Sequence, residues 1–120
     1  MKLPFLWWSP LGNVPEVSPL EFHSWLEGGR PLQVVDARTS LEYDQGTIAQ
    51  ALHAPVTEMP SSIQRLALDP DRPVVVLCLT GHRSRPGTRW LRAHGFKAYS
   101  LRGGVGAWKH AGFTTEKPIR

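Results

Sequence analysis

The sequence predicts an α/β fold: a single central sheet, mainly parallel, with helices on both faces. Three observations predict it. Short β-branched runs alternate with segments of helical periodicity. The run Val74-Val75-Val76-Leu77 is apolar throughout, as a strand buried on both faces requires. No connection carries the turn chemistry of a hairpin, so right-handed crossovers are expected. In chain order, Ser18-Pro19-Leu20-Glu21 starts a helix. Ser18 caps it, Pro19 suits the first helical position, and Glu21 stands where a capping box closes. Phe22, Trp25 and Leu26 then share one face, and Gly28-Gly29 ends it. Leu32 to Asp36 reads as a strand. Ser40 to Tyr43 begins a short helix stopped by Gly46, and Ala51 to Ala54 forms a strand closed by Pro55. Ser61 to Leu68 has helical spacing at Ile63, Leu66 and Ala67, and Asp69-Pro70 breaks it. After the strand Val74 to Leu77 comes Cys78, then a loop over Leu79 to His82. A helix follows from Ser84 to Ala93, with Pro86 in its first turn and Gly95 as its stop. Ala98 to Leu101 makes a strand, Gly103-Gly104 a turn, and Val105 to His110 a last helix.

A chain of 120 residues is one compact domain that needs no metal or disulfide staple. Its 41% hydrophobic and 20% charged residues exclude disorder, and no apolar run is long enough to span a membrane. The expected organisation is an N-terminal aromatic strap over residues 1–15, a domain over 16–115 and a C-terminal tail over 116–120. The strap does not have the pattern of a signal peptide. It is expected to lay Phe5, Trp7 and Trp8 over the domain. A dimer contact through this segment is the alternative, because two adjacent Trp side chains on an extended chain cannot both point inward.

The net charge of +4 hides an asymmetry. Residues 1–60 hold three Lys/Arg and seven Asp/Glu, a balance of −4, whereas residues 61–120 hold eleven and three, a balance of +8. The basic half contains Cys78. Its arginines do not form a block and no aromatic-interleaved RNA motif is present, which argues against nucleic acid. Arg85, Arg89 and Arg92 fall on one helical face, read as either a solvated surface or a dock for anions.

Cys78 is the chain's one cysteine. Intramolecular disulfides, a CxxC pair and multi-thiolate metal sites are excluded, no His spacing suggests a metal, and a reducing, cytoplasmic setting is expected. Ligands of open parallel sheets bind outside the carboxyl ends of strands, which is where Cys78 stands. A tight loop leading into a helix aims backbone N–H groups inward and adds the positive end of a helix dipole. Cysteines so placed have pKa values of roughly 3.5–7.5 against about 8.5 when free. Gly81 permits the geometry of such a nest. Thr80, His82, Arg83 and Ser84 are poor core material and suit an anion cradle.

These residues carry a resemblance. Val34-Val-Asp-Ala-Arg38, Glu42-Tyr43, Gly46-Thr-Ile48, Ala51 to Pro55, Val75 to Ser84, and Leu101-Arg-Gly-Gly104 with Trp108 and Gly112 resemble single-domain rhodaneses, the thiosulfate sulfurtransferase-like family. The resemblance covers about residues 16–115 and implies the rhodanese fold without a cofactor. It implies that Cys78 takes the sulfane sulfur of a small anionic donor such as thiosulfate, becomes a persulfide, and passes the sulfur to a thiol or cyanide. The amides of Leu79, Thr80, Gly81, His82, Arg83 and Ser84 would form the cradle, with Arg83 as anion contact. Since there is no second cysteine, the acceptor comes from outside the chain. The related phosphatase loop is one residue longer, so this loop favours a sulfur atom over a tetrahedral phosphate. The alternative is a persulfide carrier for a protein partner with little turnover of its own. Thr47, Ala49-Gln50 and His53 depart from the family, which often has His, Pro-Gly and Asn there. Their places outside the loop suggest altered packing.

Asp36 and Arg38 end the first predicted strand and support the site. Asp36 is read as holding backbone or an arginine, and Arg38 as a pocket-lining candidate. His82 either tunes the thiolate or points to solvent. Gly87, unusual inside a helix, suggests a close approach of that helix to the sheet.

Overall fold

The computed structural model describes residues 7–118. In chain order the elements are β1 (Glu16–Val17), α1 (Pro19–Glu27), β2 (Gln33–Asp36), α2 (Ser40–Gln45), β3 (Ala51–His53), α3 (Ser61–Gln64), β4 (Val74–Leu77), α4 (Arg85–Ala93), β5 (Ala98–Leu101) and α5 (Gly104–His110). A 3₁₀ turn at Val56–Glu58 leads into α3. The strands form one sheet in the order β1-β5-β4-β2-β3, and every neighbouring pair is parallel. The predicted α/β class with a parallel sheet is therefore the observed one. No helix among the described residues is long and apolar enough to cross a membrane.

Alternation along the strands sorts the core into two layers. Val34, Val75, Leu77 and Leu101 face α1 and α5, where they meet Phe22, Val105 and Trp108. Val35, Val74, Val76 and Ala98 face the other way and meet Ile63, Trp90 and Leu91. β4 lies at the centre with all four residues buried, which explains its unbroken apolar character. Its register sets Leu77 beside Asp36, so Cys78 and Asp36 emerge at the same end of the sheet.

Two predicted elements come out differently. The helix expected over Ser61 to Leu68 ends at Gln64, and Ala67 has a φ of +50°. The buried Gln33 side chain explains the early stop. It accepts the Asp69 N–H at 2.7 Å and donates to the carbonyls of Asp69 and Arg72, which draws this segment away from the helix axis. Around α1, Ser18 accepts the Glu21 N–H as expected, but the reciprocal capping box forms at Thr39 and Glu42, at the head of α2. Strand β1 was not legible, since two residues give no periodicity.

α4 lies close against β4 because Gly87 lacks a side chain. A Cβ there would stand 3.0 Å from Met59 Cε and 3.6 Å from Val76 Cγ1. The arginines of α4 are neither a solvated face nor free. Arg85 donates to the Pro10 carbonyl, and Arg89 donates to the carbonyls of Trp7, Ser9 and Leu11. Arg92 donates to the Ala98 carbonyl and lies over the Tyr99 ring. Burial and the charge of Arg85 lower the pKa of Arg89. The strap is thus fastened through its backbone. Trp7 packs against the Trp90 layer, while Trp8 is 60% exposed, so of the two tryptophans only Trp7 covers the domain. Phe5 lies outside the described residues.

Arg89→Met removes three of the strap's ties without touching the sheet. We expect chymotrypsin to cut after Trp7 or Trp8 about fivefold faster or more in this variant, because local opening sets cleavage of such segments. An unchanged cleavage rate would show that something other than these carbonyl bonds holds the strap.

Candidate active site

Cys78 follows β4 directly and is buried at the floor of the loop that leads to α4. The Gly81 N–H donates to Cys78 Sγ at 3.0 Å. Ser84 Oγ lies 3.7 Å from the same sulfur. The other predicted cradle members flank these two. Leu79, Thr80 and His82 are exposed and Arg83 is half-buried. Among the described residues, Gly81 supplies the one loop amide that reaches the sulfur within hydrogen-bonding distance.

The loop's conformation is imposed from α5. The first amides of any helix lack intrahelical acceptors. Here the Val105 N–H donates to the Cys78 carbonyl at 2.7 Å, and the Gly106 N–H donates to the Leu79 carbonyl at 2.9 Å. Both carbonyls are therefore turned toward α5, away from the loop's centre. This contact needs backbone against backbone. Gly104 has a φ of +64°, and a Cβ on it would lie 2.3 Å from the Cys78 carbonyl oxygen. Gly81 has a φ of +95°, and its Cβ would lie 3.0 Å from the Gly103 nitrogen. The Gly-Gly pair after β5 is thus part of the site, a role sequence reasoning had given only to a turn.

A buried hydroxyl chain supports the loop's far end. Thr88 Oγ1 donates to the Ser84 carbonyl at 2.9 Å and shares a 2.8 Å hydrogen bond with Ser100 Oγ. All three residues are fully buried. His82 is exposed and its Nδ1 pairs with Thr80 Oγ1 at 3.0 Å.

Arg83 is engaged on both terminal nitrogens. Its Nη1 and Nη2 donate to the two carboxylate oxygens of Glu42 at 2.8 and 2.9 Å. Glu42 in turn accepts the Thr39 N–H and hydroxyl, so one carboxylate caps α2 and anchors the Cys78 loop. The hydrogen bonds from Arg83, aided by those from Thr39, hold the Glu42 pKa at about 2 against its ordinary 4.5. The same pairing raises the pKa of Arg83. Glu42 was missed as a site residue, although Thr39-x-x-Glu42 is a capping-box signature visible in the sequence.

Asp36 and Arg38 form a buried pair. The Asp36 carboxylate accepts the Arg38 backbone N–H, Nε and Nη2 and the Thr47 hydroxyl. Arg38 also donates to the Gly46 carbonyl, and its own carbonyl bonds His53 Nε2 at 2.7 Å. Asp36 thus holds both backbone and an arginine. The departures at Thr47 and His53 fall on the inside of this network, and Gln50 takes a φ of +70° at a position where the family commonly has glycine. Thr47 also pairs with Glu116 through two backbone hydrogen bonds, which ties the C-terminal segment to the domain.

Two cavities matter for ligands. One of about 240 Å³ adjoins the loop and is lined by Arg38, Glu42, Gln45, Gly46, Leu79 and Lys109. A larger one of about 520 Å³ lies between α1, α5 and the C-terminal segment, near His23, Trp108 and Phe113. No residue of the Cys78 loop lines it, whereas Leu79 of that loop lines the smaller cavity.

Known proteins share this architecture. The sequence model of the rhodanese-like domain matches residues 18–111. A Bacillus subtilis protein named "Putative sulfurtransferase YtwF" is 30% identical over 81% of this chain and 92% of its own length. A tRNA uridine(34) hydroxylase of Xanthomonas campestris is 36% identical over 81% of this chain but only 43% of its own length. A solved thiosulfate sulfurtransferase from Pseudomonas aeruginosa superposes with a TM-score of 0.78 and 29% identity over 88% of this chain and 21% of that one.

Two predictions follow from the loop's supports. Gly104→Ala places a methyl inside the Cys78 carbonyl and should cost about 3 kcal/mol or more of unfolding free energy. Gly29→Ala has a similar φ of +71° but open space around it, and should cost about 1 kcal/mol. Equal losses in urea unfolding would show that the α5 contact is not the constraint. The depressed Glu42 pKa means its ionised form favours the fold. That contribution is complete above pH 4.5 and fades as pH falls through about 2. The stability gap between the wild type and Glu42→Gln should therefore narrow as pH drops across this window, and a constant gap would refute the pairing.

Proposed function

The chain belongs to the rhodanese-like sulfurtransferase family, and from that membership we propose that it moves sulfane sulfur from thiosulfate, or a similar small anionic donor, through a Cys78 persulfide. In the first step the Cys78 thiolate attacks the outer sulfur of thiosulfate. A Cys78 S–S bond forms, the bond inside thiosulfate breaks, and sulfite leaves with the electron pair. In the second step an acceptor thiolate or cyanide attacks the outer sulfur of the persulfide. The Cys78 S–S bond breaks, its electron pair returns to Cys78, and the product is an acceptor persulfide or thiocyanate. Electrons balance without an oxidant, and two easier displacements replace one difficult transfer. With a single cysteine in the chain, the acceptor comes from solution or from a partner.

The observation that carries this reading is the Gly81 amide on Cys78 Sγ, in a loop whose first two carbonyls are bound by α5. A donor hydrogen bond favours a charged sulfur over a neutral one. It costs no reorganisation during reaction, because the backbone is already held. Arg83 serves as a positioning residue that fastens the loop to α2 through Glu42. The Cys78 sulfur is buried, so it meets its substrate when the loop opens, a motion ordinary for surface loops.

A carrier role is the second reading, since the tRNA hydroxylase relative is more than twice this chain's matched span and so joins the same unit to other machinery. Thiocyanate formation from thiosulfate and cyanide separates the two. We expect turnover in the wild type and, in Cys78→Ser, a loss of at least about a thousandfold. A wild type that gains one sulfur atom by mass but makes no thiocyanate would instead establish the carrier. A wild type that never gains sulfur would refute both.

A further inference from the structure

We infer that the Ser84 side chain is a catalytic group of the Cys78 site, whose hydroxyl donates to the sulfur whenever that sulfur is charged and so promotes its departure as a leaving group. The inference rests on the sulfurtransferase reading above and assigns a residue to the second step of the same reaction.

Ser84 holds the N-cap position of α4, where a serine hydroxyl ordinarily accepts an amide of the first turn. Ser18 does so at the head of α1, with an extended ψ of 158°. Ser84 does not. Its ψ of −19° is already helical, and its side chain makes no capping bond. One of the amides it could have reached is missing from the sequence, because Pro86 stands in the first turn. The residue is nevertheless fully buried. Cys78 Sγ, at 3.7 Å, is the hydroxyl's one partner among the described residues. The Ser84 carbonyl is held separately by the N–H and the hydroxyl of Thr88, so the residue is fixed while its O–H can still rotate.

The donor and acceptor inventory gives this contact a direction. A serine hydroxyl holds one proton. Beside a thiol, the S–H and O–H protons compete for a single contact, and one of them is left without an acceptor. Beside a thiolate, the Ser84 O–H donates together with the Gly81 N–H at 3.0 Å, and neither donor is left over. Hydrogen bonds to a charged acceptor are the stronger ones, so the hydroxyl stabilises the sulfur in proportion to its charge.

That dependence on charge separates the two half-reactions. In discharge, the acceptor attacks the outer sulfur, the S–S bond to Cys78 breaks and the electron pair returns to Sγ. Charge grows on Sγ toward the transition state, and the Ser84 bond strengthens with it. In loading, Sγ starts as a thiolate and gives up charge as it bonds the donor's sulfur. There the hydroxyl raises the population of the reactive ion but does not favour the transition state over it. The proton stays on Ser84 throughout, so neither step needs an added acid or base.

The test measures the half-reactions separately in the wild type and in Ser84→Ala. Loading is followed by the mass gained from thiosulfate at alkaline pH, and discharge by the thiocyanate that cyanide releases from the isolated persulfide. Ser84→Ala should slow discharge about tenfold, the scale of one hydrogen bond to a charged group, and leave alkaline loading no slower. Ionisation of Cys78, followed by the ultraviolet absorbance of the thiolate against a Cys78→Ser blank, should move about one pH unit higher in Ser84→Ala. Ser62→Ala controls for the loss of a buried hydroxyl, because Ser62 Oγ donates to the Pro55 carbonyl and not to the sulfur, and it should change neither readout. Equal slowing of both half-reactions, unchanged discharge or an unmoved ionisation would overturn the role of Ser84. A wild type that never loads removes the sulfurtransferase reading, and an ionisation that still moves in Ser84→Ala then shows that the failure lies with that reading and not with the contact between Ser84 and the sulfur.

Discussion

The site depends on two hydrogen bonds that cross from α5 to the Cys78 loop. The amides of Val105 and Gly106 would lack acceptors at a free helix start, and the carbonyls of Cys78 and Leu79 would be free to face the sulfur. Pairing them satisfies both sets and turns the carbonyls outward. What remains for the loop's interior is N–H, of which Gly81 already contacts the sulfur. The contact is backbone to backbone, so it requires glycine at 104 and left-handed geometry at 81, 103 and 104. A single peptide geometry thus links a Gly-Gly pair after β5 to the electrostatics at the end of β4.

Around this centre the charged residues are arranged in pairs with separate tasks. Asp36 and Arg38 are buried and hold the end of β2 against Gly46 and Thr47. Glu42 and Arg83 are half-buried and tie the Cys78 loop to α2. The arginines of α4 bind backbone carbonyls of the strap and of β5. A net positive chain therefore offers few unoccupied cations near Cys78. What faces the sulfur is mainly oriented backbone, held in place by the fold.

The fold was legible wherever a pattern had to repeat. The β-branched runs at Val34 and Val74, the helix stops at Gly28 and Gly95, and the end-of-strand position of Cys78 all depend on local periodicity or local sterics. The loop between Cys78 and Ser84 was legible as polar material in an unlikely place for a core. What stayed hidden depends on contacts across the chain. Gln33 shortens α3 from more than thirty residues away through Asp69. Arg89 looks like surface charge in a helical projection, yet its partners are the carbonyls of Trp7 and Ser9. Glu42 was visible as a capping residue, but its second role follows only when the sheet brings Arg83 beside it.

Amide NMR of the isotopically labelled protein, before and after treatment with thiosulfate, tests the backbone cradle most directly. A sulfur held by this loop should shift the amide resonances of Gly81 and its neighbours through Ser84 far more than any others, and Gly104→Ala should abolish the response in protein that remains folded. Sulfur that attaches to Cys78, proven by mass, while those resonances stay in place would contradict the account.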